Sequence, residues 1–99
     1  MGQPSRAASD VLRRLDACGL GDVARGIARS HYVDPMAMLG TSRSRAHVLA
    51  RDALLATAHD LSGRSSVELG GLFSMDHTSV LAAIRRHRAR VARSVERVA

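Results

Sequence analysis

Aromatic side chains are almost missing from this chain of 99 residues, which contains one Tyr, one Phe and no Trp. Strands are typically rich in aromatic and β-branched residues, so this shortage disfavours a sheet. Hydrophobic residues still make up 45% of the chain, and most of them are types that favour helices. The composition therefore predicts a small all-α domain with a single modest core.

Cysteine and long apolar runs are also scarce. Cys18 is the one cysteine, which excludes an internal disulfide and is typical of a reducing compartment. No apolar run approaches the ~20 residues that span a bilayer, and the chain does not open with a signal-peptide pattern. We therefore expect a cytoplasmic protein.

The sequence also lacks the motifs of catalysis and metal binding. It has no Gly-rich loop that would hold a phosphate group, and its histidines do not have metal-ligand spacing. Asp76, His77 and Ser79 are neighbours on one helical turn, where side chains point in different directions and cannot form a catalytic relay. We therefore expect no enzyme activity, no cofactor and no metal.

Lysine is absent, and Arg supplies all fifteen basic residues against nine acidic ones. The net charge of +6 and the pI of about 11.4 indicate an anionic partner, with nucleic acid as the first candidate. Residues 43–99 contain ten Arg and five acidic residues, whereas residues 1–42 contain five and four. The excess positive charge therefore lies in the second part of the chain.

Apolar residues at helical spacing run through most of the chain and predict about six helices. Asp34 is expected to cap a short helix whose first residue is a proline. Thr41 or Ser42 is expected to cap the longest and most buried helix. Ser65 and Glu68 match a capping box, in which each side chain binds an N–H group at the start of the helix.

Residues 69–80, LGGLFSMDHTSV, join a short apolar helix to an Arg-rich helix through a tight turn. This pattern is typical of a helix-turn-helix that places its second helix in the major groove of DNA. His77, Thr78 and Ser79 lie in the first turn of the second helix, and their short polar side chains suit contacts with base edges.

Residues 23–87 resemble the C-terminal DNA-binding domain, domain IV, of the bacterial replication initiator DnaA. The resemblance implies a Trp-repressor-like bundle with a helix-turn-helix. Three groups of residues carry it, in the family's order and close to its spacing: DPMAML at 34–39, the basic entry SRSR at 42–45 leading to ARD at 50–52, and ELG at 68–70 followed by Phe73 and DHTSV at 76–80.

The resemblance also implies roles for individual residues. Asp76, His77, Thr78 and Ser79 match the start of the family's recognition helix, which reads bases in the major groove. Arg43 matches the arginine of the basic loop, which enters the neighbouring minor groove. An arginine in the narrow minor groove of A·T-rich sequence gains from the strong negative potential there.

Further contacts would be made to phosphates. The resemblance assigns this role to Arg51, and Arg45 and the backbone around Val67 are expected to add to it. Arg85 is a further candidate on the recognition helix, because its charge can neutralise phosphate without carrying sequence information. More distant charges of the last helix are expected to be solvated: Arg90, Arg93 and Arg97.

The chain departs from the family pattern at two places. The loop after Phe73 is Ser74 and Met75, one residue shorter than the usual Gly-Gly-Arg and without its arginine. Asp52 stands where the family usually has a neutral amide. Phosphates would repel a carboxylate at that place unless an arginine pairs with it, so we expect weaker binding or a different DNA site.

We therefore predict that residues 22–99 form a helix-turn-helix domain that binds double-stranded DNA sequence-specifically, in replication initiation or its regulation. Residues 1–21 are predicted to be an N-terminal helix or linker, and nucleoid association in a bacterial cytoplasm follows from this function. Two alternatives remain, a DNA-targeting module of a REP-associated transposase and a protein-interaction module whose Arg-rich helix binds an acidic partner. Either terminal helix is a candidate for binding a protein partner or a second copy of the chain.

Overall fold

The computed structural model describes residues 4–98, and within them the chain forms helices joined by short turns. The six helices confirm the predicted all-α class, and their bounds are α1 Pro4–Ala17, α2 Gly21–Ser30, α3 Pro35–Leu39, α4 Arg45–Ser62, α5 Ser66–Phe73 and α6 His77–Val98. Among these residues no helix combines the length and the apolar character needed to cross a membrane.

Two of the predicted helix starts are confirmed. The Asp34 carboxylate accepts a hydrogen bond from the Ala37 N–H at 3.0 Å, and proline occupies the first position of α3. Ser65 and Glu68 form both bonds of the capping box that opens α5, each at 3.2 Å. These caps are specified by residues three apart in the sequence, so each one can be recognised locally.

The predicted start of α4 is wrong by two or three residues. Ser44 caps this helix and accepts a hydrogen bond from the His47 N–H at 3.4 Å. The expected cap, Ser42, is engaged in the preceding loop, where its hydroxyl accepts from the Ser44 N–H at 3.2 Å. Residues 41–44 therefore form a connection before the helix instead of its first turn.

α4 is the central element of the bundle, because it packs against α2, α3, α5 and α6. α1 closes the other side through contacts with α2, α3 and α5. The core is built without tryptophan, and its largest fully buried apolar side chains are those of Leu15, Met38, Leu54, Leu55, Leu69, Val11 and Val80. The loop before α4 and the helix α6 are therefore both attached to this central helix.

Asp52 is the buried charged residue of the described chain, with 1% of its surface exposed. Arg86 donates two hydrogen bonds to its carboxylate, both at 3.0 Å, and Arg90 donates a third at 2.9 Å. The bond to Asp52 raises the pKa of Arg86. Asp52 thus has the arginine partners that the sequence analysis required if phosphates are not to repel it, because its charge is enclosed between α4 and α6 and neutralised there.

Removing Arg86 should destabilise the fold through this carboxylate. Arg86→Met leaves buried Asp52 with one remaining arginine, and we expect the free energy of unfolding to fall by about 1–3 kcal/mol. The matched control is Arg85→Met, because Arg85 is exposed and next in sequence; its effect should stay within about 0.5 kcal/mol. Urea unfolding of both variants measures the difference, and equal losses would contradict this role of Arg86.

Candidate nucleic-acid interface

The turn between α5 and α6 is closed by backbone hydrogen bonds to one carbonyl. Ser74 ends α5 in the left-handed conformation, with φ 55°, and its N–H donates to the Gly70 carbonyl. The Met75 N–H donates to the same oxygen at 2.9 Å. A Cβ atom on Gly70 would lie 2.6 Å from the Met75 carbonyl oxygen. The close approach of the turn to α5 therefore depends on glycine at position 70.

An arginine of α1 braces this turn from outside the helix-turn-helix. The Arg14 guanidinium donates to the Leu72 carbonyl at 3.0 Å and to the Ser74 hydroxyl at 2.6 Å. A non-glycine residue in the left-handed region is held at a cost, and the bond from Arg14 favours this conformation of Ser74. The short turn is thus supported by a side chain that lies 60 residues earlier in the sequence.

The first turn of α6 is fixed on one side and open on the other. Val80, Ala83 and Ile84 are buried in the core. His77, Thr78 and Ser79 are exposed, and about half of the His77 side chain faces solvent. The sequence prediction that these polar groups share an accessible helix tip agrees with their positions. They offer hydroxyl and imidazole groups that both donate and accept hydrogen bonds.

Asp76 caps this helix. Its Oδ2 atom accepts from the Thr78 N–H at 3.1 Å and from the Thr78 hydroxyl. These bonds, together with the nearby His77, lower the pKa of Asp76 below its ordinary value. The carboxylate therefore stays ionised at neutral pH and orders the tip, while its Oδ1 atom lies 3.8 Å from the His77 Nδ1 atom.

The loop at residues 40–44 presents Arg43 on its surface, and Arg51 holds this loop in place. Arg43 is exposed. Arg51 is half-buried, and its guanidinium donates to the Met38 carbonyl at 2.7 Å and to the Ser42 carbonyl at 2.9 Å. Burial lowers the pKa of Arg51. Two of the three nitrogens of this side chain are thus engaged with the backbone on either side of the loop.

His47 forms a second clamp that the sequence prediction missed. Its Nδ1 atom lies 2.7 Å from the Ser42 hydroxyl oxygen and 3.1 Å from the Ser44 hydroxyl oxygen. These two serines flank Arg43, so the imidazole holds the backbone on both sides of this exposed residue. A histidine five residues after one serine and three after another, at a helix start, was the available sequence signal.

The basic loop and the helix-turn-helix turn are neighbours in space. Gly40 and Thr41 line one small cavity of about 190 Å³ together with Ser74 and Met75. Arg43 follows two residues after the first pair, and the tip of α6 begins directly after the second. Loop and tip therefore border the same part of the surface.

The other residues predicted to contact phosphates are also exposed. Arg45 is exposed at the first position of α4, and Arg85 is exposed on α6. Val67 is also exposed, in the first turn of α5. The capping box engages the Glu68 N–H, whereas the N–H groups of Ser66 and Val67, also in the first turn of α5, have no acceptor within the helix.

Comparison with known proteins gives the family. Residues 21–86 match the family described as the bacterial DnaA protein helix-turn-helix. The chain belongs to this family. A chromosomal replication initiator protein DnaA 2 from Chlamydia caviae is 35% identical over 78 residues, and DnaA 1 from Chlamydia trachomatis is 33% identical over the same length. Both alignments cover 77% of this chain, and no solved structure gives a significant match.

The match is confined to one part of the relatives and one part of this chain. The chain spans 17% of the length of these two DnaA proteins. The family model is a helix-turn-helix and not a catalytic domain. It begins at the first residue of α2 and ends within α6, so α1 and the C-terminal half of α6 lie outside the matched residues. Arg14 therefore supports the turn from outside the residues that the family model matches.

Filling the space at Gly70 should displace the turn. For Gly70→Ala we expect overpacking against the Met75 carbonyl to lower the free energy of unfolding by about 1–2 kcal/mol. Gly71→Ala is the matched control, because a Cβ there meets nothing within 4 Å, and it should stabilise α5 by about 0.5–1 kcal/mol. Denaturant unfolding distinguishes the two, and a stabilising Gly70→Ala would contradict the geometry.

Replacing Arg51 by lysine separates its positioning role from its charge. Arg51→Lys keeps the charge but cannot span the two carbonyls with a planar fork. We expect amide hydrogen exchange of residues 41–44 to accelerate about tenfold, because the loss of a charge-assisted hydrogen bond makes opening of the loop easier. Arg45→Lys is the control, since Arg45 is exposed, and should leave exchange unchanged. Undisturbed loop exchange in Arg51→Lys would show that only the charge matters.

Proposed function

We propose that this chain binds double-stranded DNA sequence-specifically, with the tip of α6 in the major groove and Arg43 in the adjacent minor groove. The observation that carries the proposal is the accessible row of polar side chains on an anchored helix start, beside an ordered loop with an exposed arginine. Membership of the DnaA helix-turn-helix family supports it.

The chemistry of the tip suits base recognition. His77, Thr78 and Ser79 are short enough for the helix to approach the base edges closely. The Thr78 hydroxyl donates to Asp76, which leaves its oxygen as an acceptor and its methyl group for contact with thymine. Asp76 acts mainly by ordering this tip, and its less engaged Oδ1 atom is the atom available to accept from a cytosine amino group.

Arg43 makes the second contact that distinguishes base pairs, in the minor groove. Its loop is pre-ordered by Arg51 and His47, so less conformational entropy is lost when the side chain enters a groove. Arg45, Arg85 and the backbone before Glu68 contact phosphates and fix the orientation of the domain. In this proposal Arg51 positions the loop, in place of the direct phosphate contact expected from the sequence.

The role served by this binding is proposed from the relatives. Their names describe chromosomal replication initiators, and we propose that this chain acts in replication initiation or its regulation. Because this chain spans 17% of the length of these relatives, the step that we propose for it within that process is the recognition of a DNA site.

Selection of bound duplexes from a random library tests the proposal. We expect the wild-type chain to select one short motif, and His77→Ala to lose about tenfold in discrimination at one or two of its positions. Arg43→Ala should lose the preference for A·T pairs at one side of the motif. Arg29→Ala removes an exposed arginine of α2, and this matched control should keep the whole motif.

Two results would overturn the proposal. Uniform weakening by His77→Ala across all sequences would make the residue a positioning contact and not a base reader. Steeply salt-dependent binding without any selected motif would show that only charge is recognised, and would favour an acidic protein as the partner of the Arg-rich helix.

A further inference from the structure

Four arginines converge at the C-terminal half of α6. A concave site of about 250 Å³ is lined by Arg45 from the start of α4 and by Arg90, Arg93, Ser94 and Arg97 from α6. The three α6 arginines recur at three- and four-residue spacing, which puts them on one face of the helix. The lining consists entirely of guanidinium and hydroxyl side chains.

Most of this positive charge is not neutralised by the part of the chain that the structure describes. Arg90 donates to Asp52. Arg45, Arg93 and Arg97 form no ion pair with a carboxylate of residues 4–98. Like charges gathered in a concavity repel one another and focus the electrostatic potential there. An anion in the site would relieve this repulsion.

The site is close to the proposed minor-groove contact. Arg45 is two residues from Arg43, and both flank the cap of α4. Arg93 and Arg97 lie outside the residues that match the family model, and they reach Arg45 because α6 continues without a break for 22 residues. The distal part of α6 therefore adds its charge to the basic loop.

We propose that Arg45, Arg93 and Arg97 form a binding site for backbone phosphates of DNA, next to the minor groove that Arg43 enters. This inference rests on the proposed function for the position of the duplex. A phosphate backbone is favoured over an acidic helix of a partner protein, because only Arg and Ser side chains line the site and Arg45 joins it to the loop of Arg43. The exposed apolar side chains of Val91 and Val95 line a neighbouring groove. The sequence expectation that Arg93 and Arg97 are merely solvated is replaced by this role.

The salt dependence of binding tests the inference. The probes are the duplex chosen in the library selection, extended by random flanks at both ends, and a scrambled duplex of equal length. Each phosphate contact contributes about 0.9 to the slope of log affinity against log salt concentration. We expect Arg93→Gln combined with Arg97→Gln to reduce the slope by about 2 on both duplexes and to leave their affinity ratio unchanged.

The control removes the same charge elsewhere. Arg29→Gln combined with Arg88→Gln changes exposed arginines outside the site, of which Arg88 pairs with Asp60, and its slope should match the wild type. An unchanged slope in the Arg93 and Arg97 variant would overturn the inference, as would an equal fall in the control. If the wild-type chain selected no motif from the library, that result would instead count against the proposed function. The two failures are therefore distinguishable.

A free anion is the remaining source of the same chemistry. Titration with inorganic phosphate at constant ionic strength, followed by the side-chain Nε–H resonances of Arg93 and Arg97, separates it from DNA. We expect these resonances to shift with the duplex and not with millimolar inorganic phosphate. The reverse pattern would assign the site to a small anion and contradict a backbone contact.

Discussion

The buried carboxylate of Asp52 fixes the position of α6 on α4, and the other features of the surface depend on that position. Leaving a buried carboxylate without partners is costly, so Arg86 and Arg90 cannot leave it freely. They hold α6 at one register along α4. Since α4 starts at the basic loop and α6 starts at the polar tip, one ion-pair cluster sets the distance between the two.

Several polar and charged side chains near the candidate interface make contacts within the protein itself. Arg51 and His47 order the loop around Arg43, and Arg14 braces the turn before α6. Such positioning lowers the entropy that binding must offset. The arginines left outward, Arg43 among them, are then available to an anionic partner. A count of positive charges would therefore overstate the number of contacts with DNA.

The sequence predicted the parts of the structure that short-range patterns specify. The caps at Asp34 and Ser65 and the polar start of α6 depend on residues three or four apart. The arginine that pairs with Asp52 could not be identified, because Arg86 is 34 residues away and no local pattern reports that pairing. The same reason hid the bond from Arg14 to the turn. The predicted start of α4 was wrong because three hydroxyl residues precede the helix, and the bonds of Ser42 to His47 and Arg51 leave Ser44 to cap it.

We propose that the tip of α6 and the loop of Arg43 contact neighbouring grooves on one side of a duplex. Cleavage by an iron chelate attached to Arg43→Cys or Ser79→Cys, with Cys18→Ser as background, measures it on the selected duplex. We predict minor-groove cleavage from position 43 and major-groove cleavage from position 79, centred about five base pairs apart, which is half of a helical repeat. Coincident centres in one groove, or cleavage without a defined position, would contradict it.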